Sequence, residues 1–138
     1  METANAVFNG LQDTVHFRAA DVFDELPRLA EAGETYDLVI LDPPAFAKSR
    51  ATIKNAMKGY REINIRGMKL VKDGGFLATC SCSHFMTDAL FRQMLQSAAS
   101  DAQVELRLVE ARAQGPDHPV LWNVPETDYL KFYIFQVV

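Results

Sequence analysis

The 138-residue chain suffices for one domain with a hydrophobic core, and its 49% hydrophobic and 23% charged residues are those of an ordinary folded protein. A net charge of −4 argues against a bulk field that attracts nucleic acid, so such a partner must be held locally or by another domain. No apolar run reaches the roughly 18 residues of a membrane span, and no signal peptide is visible. We therefore expect no membrane partner. Two cysteines one residue apart suit no ordinary disulfide, which favours the reducing cytoplasm.

The first elements predict two short helices around a strand. Residues 2–9 read as the last turns of a helix that stops at Gly10, and residues 14–20 alternate like a strand. Residues 24–32 can form a short helix despite Pro27 near its start.

The stretch from Tyr36 to Phe46 organises the rest of the chain. Its apolar run, residues 38–41, predicts a central strand buried on both faces of a parallel sheet. Asp42 ends the run, and Pro43 and Pro44 then force a rigid, extended turn because neither can donate an N–H. Asp42 should therefore stand where open α/β sheets place their ligand crevice.

The remaining elements continue the alternation of helices and strands. We expect a helix over residues 53–71 that closes at Asp73-Gly74-Gly75, a strand over 76–82, and a helix to Ala99 capped by Thr87 or Asp88. Strands follow at 104–111 and 129–138, with a proline-rich loop between them. This order predicts an α/β fold with a doubly wound, mostly parallel sheet and an antiparallel carboxyl-terminal edge.

Three residues at alternate positions carry the chemistry of the strand at 76–82. Cys80, Cys82 and His84 leave the same face of an extended chain, with successive Cβ atoms roughly 6 to 7 Å apart. They fit a metal site that lacks a visible fourth ligand, a pair of inert buried cysteines, or a thiol nucleophile at the strand end.

Four motifs in order resemble one family, the bacterial S-adenosylmethionine-dependent 5-methylcytosine methyltransferases of large-subunit ribosomal RNA. The motifs are Asp42-Pro43-Pro44-Ala45-Phe46-Ala47-Lys48-Ser49, Gly59-Tyr60-Arg61-Glu62-Ile63-Asn64, Gly74-Gly75-Phe76-Leu77-Ala78-Thr79-Cys80-Ser81-Cys82-Ser83-His84, and Asp117-His118-Pro119 with Pro125-Glu126 and Tyr129-Leu130-Lys131. The resemblance implies a Rossmann-like class I methyltransferase sheet and the cofactor S-adenosylmethionine.

The resemblance also implies roles for single residues. Cys82 matches the nucleophilic cysteine, whereas Cys80 matches a position that tolerates other residues and is interpreted as packing. A thiolate must add to carbon 6 of cytosine before carbon 5 can take a methyl group, and Asp42 with the Pro43 carbonyl would hold the base edge. The cofactor would lie against Asp21, Val22 and Asp42. Residues expected to contact the substrate are Pro44, Phe46, Lys48, Tyr60, Ser83 and His84; no metal is expected.

Two of these assignments compete with structural roles. Tyr60 and Asn64, four apart on one helix face, would close the crevice or serve in the core and in capping. His84 would act near the thiol or serve as a hydrogen-bonded structural residue.

A class I methyltransferase should begin with a strand and a glycine-rich turn that holds the cofactor, and neither occurs in residues 1–138. We therefore expect one truncated catalytic domain that alone is inactive and binds the cofactor weakly. Ribosomal RNA would bind through the complete protein, and an exposed sheet edge would favour a homodimer. Alternatives are methylation of an exocyclic nitrogen through the D-P-P motif and a silent fragment that serves as an interaction module.

Overall fold

The computed structural model describes residues 1–47 and 49–138. Its helices are α1 (Glu2–Phe8), α2 (Val22–Glu31), α3 (Ile53–Lys69) and α4 (Asp88–Ala102). Its strands are β1 (Tyr36–Leu41), β2 (Val71–Ser81), β3 (Leu106–Arg112) and β4 (Lys131–Val137). Short 3-10 turns occupy Arg50–Thr52 and Pro125–Thr127.

The strands of the described ranges form one mixed sheet in the order β1-β2-β4-β3. β1 pairs in parallel with β2, whereas β4 pairs antiparallel with both β2 and β3. Three strands therefore point the same way, and β4 is inserted against them near the carboxyl-terminal edge. The predicted α/β sheet with an antiparallel carboxyl-terminal pair is confirmed.

The hydrophobic core lies between α3, α4 and one face of the sheet. Leu41, Leu77, Tyr133 and Val137 supply the sheet side of one buried cluster. The helices contribute apolar side chains at helical spacing, namely Ala56, Tyr60, Ile63, Met68, Phe91, Met94, Leu95 and Ala98. Thr87 caps α4, since its Oγ1 accepts from the Leu90 N–H at 3.3 Å.

The other face of the sheet is apolar and open at β1. Leu38 is 51% exposed and Ile40 is 64% exposed, and Phe76, the neighbour of Leu38 on β2, is also exposed. The expectation of a central strand buried on both faces is wrong for β1, because this strand lies at the sheet edge and the core helices cover only the opposite face.

Residues 14–20 do not form the predicted strand. Val15 and Phe17, the apolar members of the alternation, are exposed. An alternating pattern needs a neighbouring strand to pair with, and none of the described strands runs beside it. Helix α2 begins at Val22 rather than at the predicted Asp24, because the Asp21 side chain accepts from the Phe23 N–H at 2.8 Å and caps the helix.

The predicted glycine turn interrupts β2 instead of preceding it. The strand begins at Val71, and the partners along β1 jump from Tyr36↔Val71 to Leu38↔Phe76. Gly74 has a positive φ of 80° at this irregularity, a conformation that glycine adopts at little cost.

Candidate active site

Three segments of the chain meet at one edge of the sheet. The parallel register sets Leu41 beside Thr79, so Asp42 and Cys82 follow the adjacent carboxyl ends of β1 and β2. Lys131 at the start of β4 pairs with Ser81, which brings residues 113–130 to the same edge. This is the edge at which open α/β sheets bind ligands.

Asp42 is held by a buried thiol. The Cys80 Sγ–H donates to Asp42 Oδ1 at 3.1 Å, and Cys80 itself is only 6% exposed. Burial, and then the hydrogen bond and charge of Asp42, raise the pKa of the Cys80 thiol to about 12. Cys80 therefore stays protonated and fixes the carboxylate, a contact that interpretation as packing alone missed.

Cys82 is exposed, whereas Cys80 is buried. Cys82 is a free cysteine directly after the end of β2. The thiol is accessible from solvent at the edge that carries Asp42.

Two buried serines fix the backbone on either side of Cys82. The Ser81 hydroxyl donates to the Tyr60 hydroxyl at 2.9 Å, and the Ser83 hydroxyl donates to the Ala47 carbonyl at 2.7 Å. Both serines are buried, so their bonds are shielded from competing water. The exposed thiol thus stands on a backbone tied to α3 and to the proline turn.

Lys131 adds a further tie that sequence reasoning did not place in the site. Its buried ammonium donates to the Ser83 carbonyl at 2.5 Å and to the Tyr129 carbonyl at 2.7 Å. Burial lowers the pKa of Lys131, and the charges of Asp128, Cys82 and Asp88 oppose that shift. The sequence signal that could have placed Lys131 in the site was its position in the motif Tyr129-Leu130-Lys131.

The proline turn presents a mixed surface. Pro43 is buried, Pro44 is exposed, and Phe46 is half-buried with its ring centroid 4.9 Å from that of Tyr60. Lys48, an expected substrate contact, lies outside the described residues.

The predicted substrate contact of Tyr60 does not fit the structure. Its side chain is fully buried, and burial is the main cause of its raised pKa. Asn64 is buried too, and its amide donates to the Tyr60 carbonyl while its Oδ1 accepts from the Thr79 hydroxyl at 2.8 Å. Tyr60 and Asn64 therefore serve in the core, which was the alternative to closing the crevice. Ser83 was also expected to contact the substrate. It is buried, and its hydroxyl donates to the Ala47 carbonyl instead.

His84 lies on the surface next to the thiol segment. It is exposed, and its ring centroid is 3.9 Å from that of Phe85. It also lines a cleft of about 350 Å³ between the start of α4 and residues 120–128. This exposed position fits a role near the thiol better than that of a hydrogen-bonded structural residue.

The residues expected at the cofactor lie close to the proline turn. Asp21 and Val22 are exposed at the start of α2, and the Phe23 ring centroid is 6.2 Å from that of Phe46. Asp21 Oδ1 caps the helix through Phe23 N–H, which leaves the second carboxylate oxygen for another donor.

The metal alternative finds no support in the side-chain arrangement. Within residues 1–47 and 49–138, no three His, Cys, Asp or Glu side chains are grouped so that they could hold an ion. Over the same ranges no helix is long and apolar enough to cross a membrane.

Comparisons with known proteins give homology over nearly the whole chain. Ribosomal RNA large subunit methyltransferase I of Erwinia tasmaniensis is 42% identical over 97% of the chain, and that of Shewanella denitrificans is 40% identical over 96%. The chain spans 34% of each relative. No protein-family model matches it.

Solved structures share the fold at lower sequence identity. A methyltransferase crystallised with S-adenosylhomocysteine superposes with a TM-score of 0.73 at 21% identity, over 86% of this chain and 30% of that one. The chain therefore has the fold of class I methyltransferases and is homologous to about one third of ribosomal RNA large subunit methyltransferase I.

Proposed function

We propose that residues 1–138 form the carboxyl-terminal part of the catalytic domain of an S-adenosylmethionine-dependent methyltransferase. Its substrate would be carbon 5 of a cytosine in large-subunit ribosomal RNA, with Cys82 as nucleophile. The observation that carries this proposal is the difference between the two cysteines. Cys82 is exposed at the strand end, whereas Cys80 is buried and donates its thiol hydrogen to Asp42. The names of the relatives support the RNA substrate.

The residues at the edge suit the proposed cofactor. Asp21 and Asp42 offer carboxylate acceptors for its amine and hydroxyl donors, and Phe23 and Phe46 offer an apolar wall beside them. S-Adenosylmethionine, when bound, supplies the methyl group as an electrophilic sulfonium. Val22 and Asp21 would border its adenine.

The protein's own groups would prepare the base. The Cys82 thiolate adds to carbon 6 of cytosine and forms a sulfur–carbon bond, which raises the electron density at carbon 5. Asp42 would polarise the ring at its N3 edge, with the Pro43 carbonyl accepting from the exocyclic amine. After methylation the carbon 5 proton passes to solvent water, the electrons of its C–H bond re-form the double bond between carbons 5 and 6, and the sulfur–carbon bond breaks to restore the Cys82 thiolate.

The target base must leave its stack to reach this edge. Exposed cations at the start of α3, Arg50, Lys54 and Lys58, offer local contacts for phosphates although the chain as a whole is acidic. Pro44, Phe46 and His84, together with Lys48, remain proposed contacts of the substrate. The remainder of the complete protein would supply most of the RNA affinity.

Covalent trapping tests the proposal in the complete protein. An RNA substrate with 5-fluorocytosine should give a stable adduct, because the fluorine at carbon 5 cannot leave as a proton would. We expect the adduct in the wild type and in Cys80→Ala, and none in Cys82→Ala. Methylation of ordinary RNA by Cys82→Ala would remove the thiol mechanism and favour the nitrogen chemistry. A complete wild-type protein that binds RNA but never methylates it would favour the interaction module.

A further inference from the structure

A second feature of the catalytic edge lies beyond the thiol segment. The cleft of about 350 Å³ is lined by His84, Thr87, Asp88, Val120, Leu121, Trp122, Pro125 and Asp128; we term it the Trp122 cleft. His84 belongs to both places, because it lies two residues after Cys82. The cleft thus adjoins the site at which the proposed target base would enter.

Trp122 is the only tryptophan of the chain, and it is 98% exposed. An indole on the surface costs the free energy of its apolar area unless something covers it. Its neighbours Val120 and Leu121 are also exposed. A fully exposed indole above a cleft is a surface suited to stacking.

The loop that carries Trp122 is braced from both sides. Thr127 Oγ1 accepts from the Leu121 N–H at 2.8 Å and donates to the Val124 carbonyl at 2.7 Å. Gln114 ties the far end, since its side chain donates to the Thr127 carbonyl and accepts from the Leu130 N–H. The indole is therefore presented by an ordered loop, which reduces the entropy lost on binding.

The charges in the cleft favour a neutral ligand with hydrogen-bond donors. Asp88 and Asp128 contribute carboxylates, whereas the residues that line the cleft include no lysine or arginine. Asp88 is already engaged by the Tyr133 hydroxyl and by Arg92, so Asp128 is the better placed acceptor. Two acids repel a phosphate, yet a carboxylate accepts readily from the amino or imino groups of a nucleobase.

We propose that the Trp122 cleft binds an unpaired nucleobase that neighbours the target cytosine, with its ring stacked on the indole of Trp122. The proposal rests on the proposed function, since it assumes that RNA reaches the edge beside Cys82. Base–aromatic stacking is tolerant of sequence, while Asp128 would favour bases that present an amino group.

The single tryptophan provides the measurement. Fluorescence of Trp122 in the 138-residue chain is titrated with a short single-stranded RNA and with the same RNA made abasic next to the target cytosine. We expect the first RNA to quench the emission strongly and the abasic RNA to quench it weakly. Both RNAs carry the same phosphates, so a difference in quenching reports the missing base. Equal quenching by both RNAs, at concentrations that saturate the chain, would overturn the proposal.

Variants separate stacking from folding. In the complete protein, Trp122→Ala should weaken RNA binding by about 5- to 100-fold, whereas Trp122→Phe should retain most of the affinity. Asp128→Asn should reduce the preference for amino-bearing neighbours. Unchanged affinity in Trp122→Ala, with tight binding of an apolar peptide to the wild type, would assign the cleft to a protein partner instead.

Failure of the stacking proposal at Trp122 can be distinguished from failure of the thiol mechanism at Cys82. Trp122→Ala should need a higher RNA concentration than the wild type to form the 5-fluorocytosine adduct, since it loses affinity but keeps the Cys82 thiol. Specific quenching of Trp122 together with no adduct in the wild type would refute the thiol mechanism and leave the stacking site standing.

Discussion

Two thiols two residues apart, one in β2 and one directly after it, differ in exposure because of their surroundings. Cys80 points to the Asp42 carboxylate inside a buried contact, while Cys82 has passed the end of β2 and meets solvent. Sequence alone separated them only through the resemblance, because strand spacing sets both side chains on one face. The register of β1 against β2, which spacing cannot supply, explains the difference.

Thiol labelling should report this contrast. In the native chain at neutral pH, iodoacetamide should modify Cys82 and leave Cys80 unmodified, because only Cys82 is exposed. Mass spectrometry of the unfolded chain should find both modified. Native Cys82→Ser is the control and should remain unlabelled over the same interval; equal native labelling at both positions would contradict the structure.

The raised pKa of Cys80 predicts a loss of stability in alkali. The pKa rises from 9.0 to about 12 on folding, so between these values the unfolded chain binds fewer protons than the folded one. The contribution of the protonated Cys80 thiol to the free energy of unfolding is therefore complete below pH 9. It is lost as the pH rises toward 12, with about 1 kcal/mol lost by pH 10.

The comparison with Cys80→Ala isolates this effect. Tyr60 and Tyr133 also have raised pKa values and act in the same direction, whereas the lowered pKa of Lys131 opposes them. These groups are common to both proteins, so denaturant unfolding at pH 8 and pH 10 should show a steeper loss in the wild type. Parallel losses in the two proteins would refute the assignment to Cys80.

At the scale of elements, local signals predicted the helices and the four strands of the sheet, and failed for residues 14–20. The apolar spacing of α3 and α4 and the cap at Thr87 are local properties, and both helices are where the pattern indicates. Residues 14–20 carry a strand pattern, but a strand is stable only when a neighbour completes its hydrogen bonds. The placement of Asp42 and Cys82 at neighbouring strand ends was predictable from the sequence, whereas the burial of Tyr60 depends on how α3 packs.

Close packing of α3 on β1 predicts opposite effects at two glycines. A Cβ at Gly67 would lie 2.7 Å from Leu41 Cδ1, whereas a Cβ at Gly59 would lie 3.5 Å from the Phe46 ring, an ordinary contact. Gly67→Ala should destabilise the chain by about 1 kcal/mol, because overpacking exceeds the gain in helix propensity. Gly59→Ala should be neutral or stabilising by up to about 1 kcal/mol.

Urea unfolding of both variants checks this pair. Because Leu41 precedes Asp42, Gly67→Ala should also weaken the proposed activity of the complete protein. Equal stability of the two variants would show that Leu41 can move aside at no cost.

For the molecule as a whole, the edge and the outer face of β1 form an uncovered apolar surface. Leu38 and Ile40 are exposed along a strand whose outer N–H and C=O groups have no partner among the described strands. Such an edge is a template for another strand. We propose that the isolated chain pairs with a second copy there.

Static light scattering over a range of concentrations tests this pairing. The wild type should show a mass that rises from monomer toward dimer, and Ile40→Lys should remain monomeric because a charge on the edge opposes pairing. Val7→Lys, which changes an exposed apolar residue on α1, is the matched control and should associate like the wild type. A wild-type monomer at high concentration would rule the edge out.

The same uncovered surface makes this chain suitable as one half of a split protein. The core packs α3 and α4 against one face of the sheet, while Leu38, Ile40 and Phe76 on the other face are uncovered. Co-expression with the remaining two thirds of a relative should therefore allow the two pieces to reassemble without a peptide bond between them. Under the proposed function, methylation of the RNA would then require both pieces.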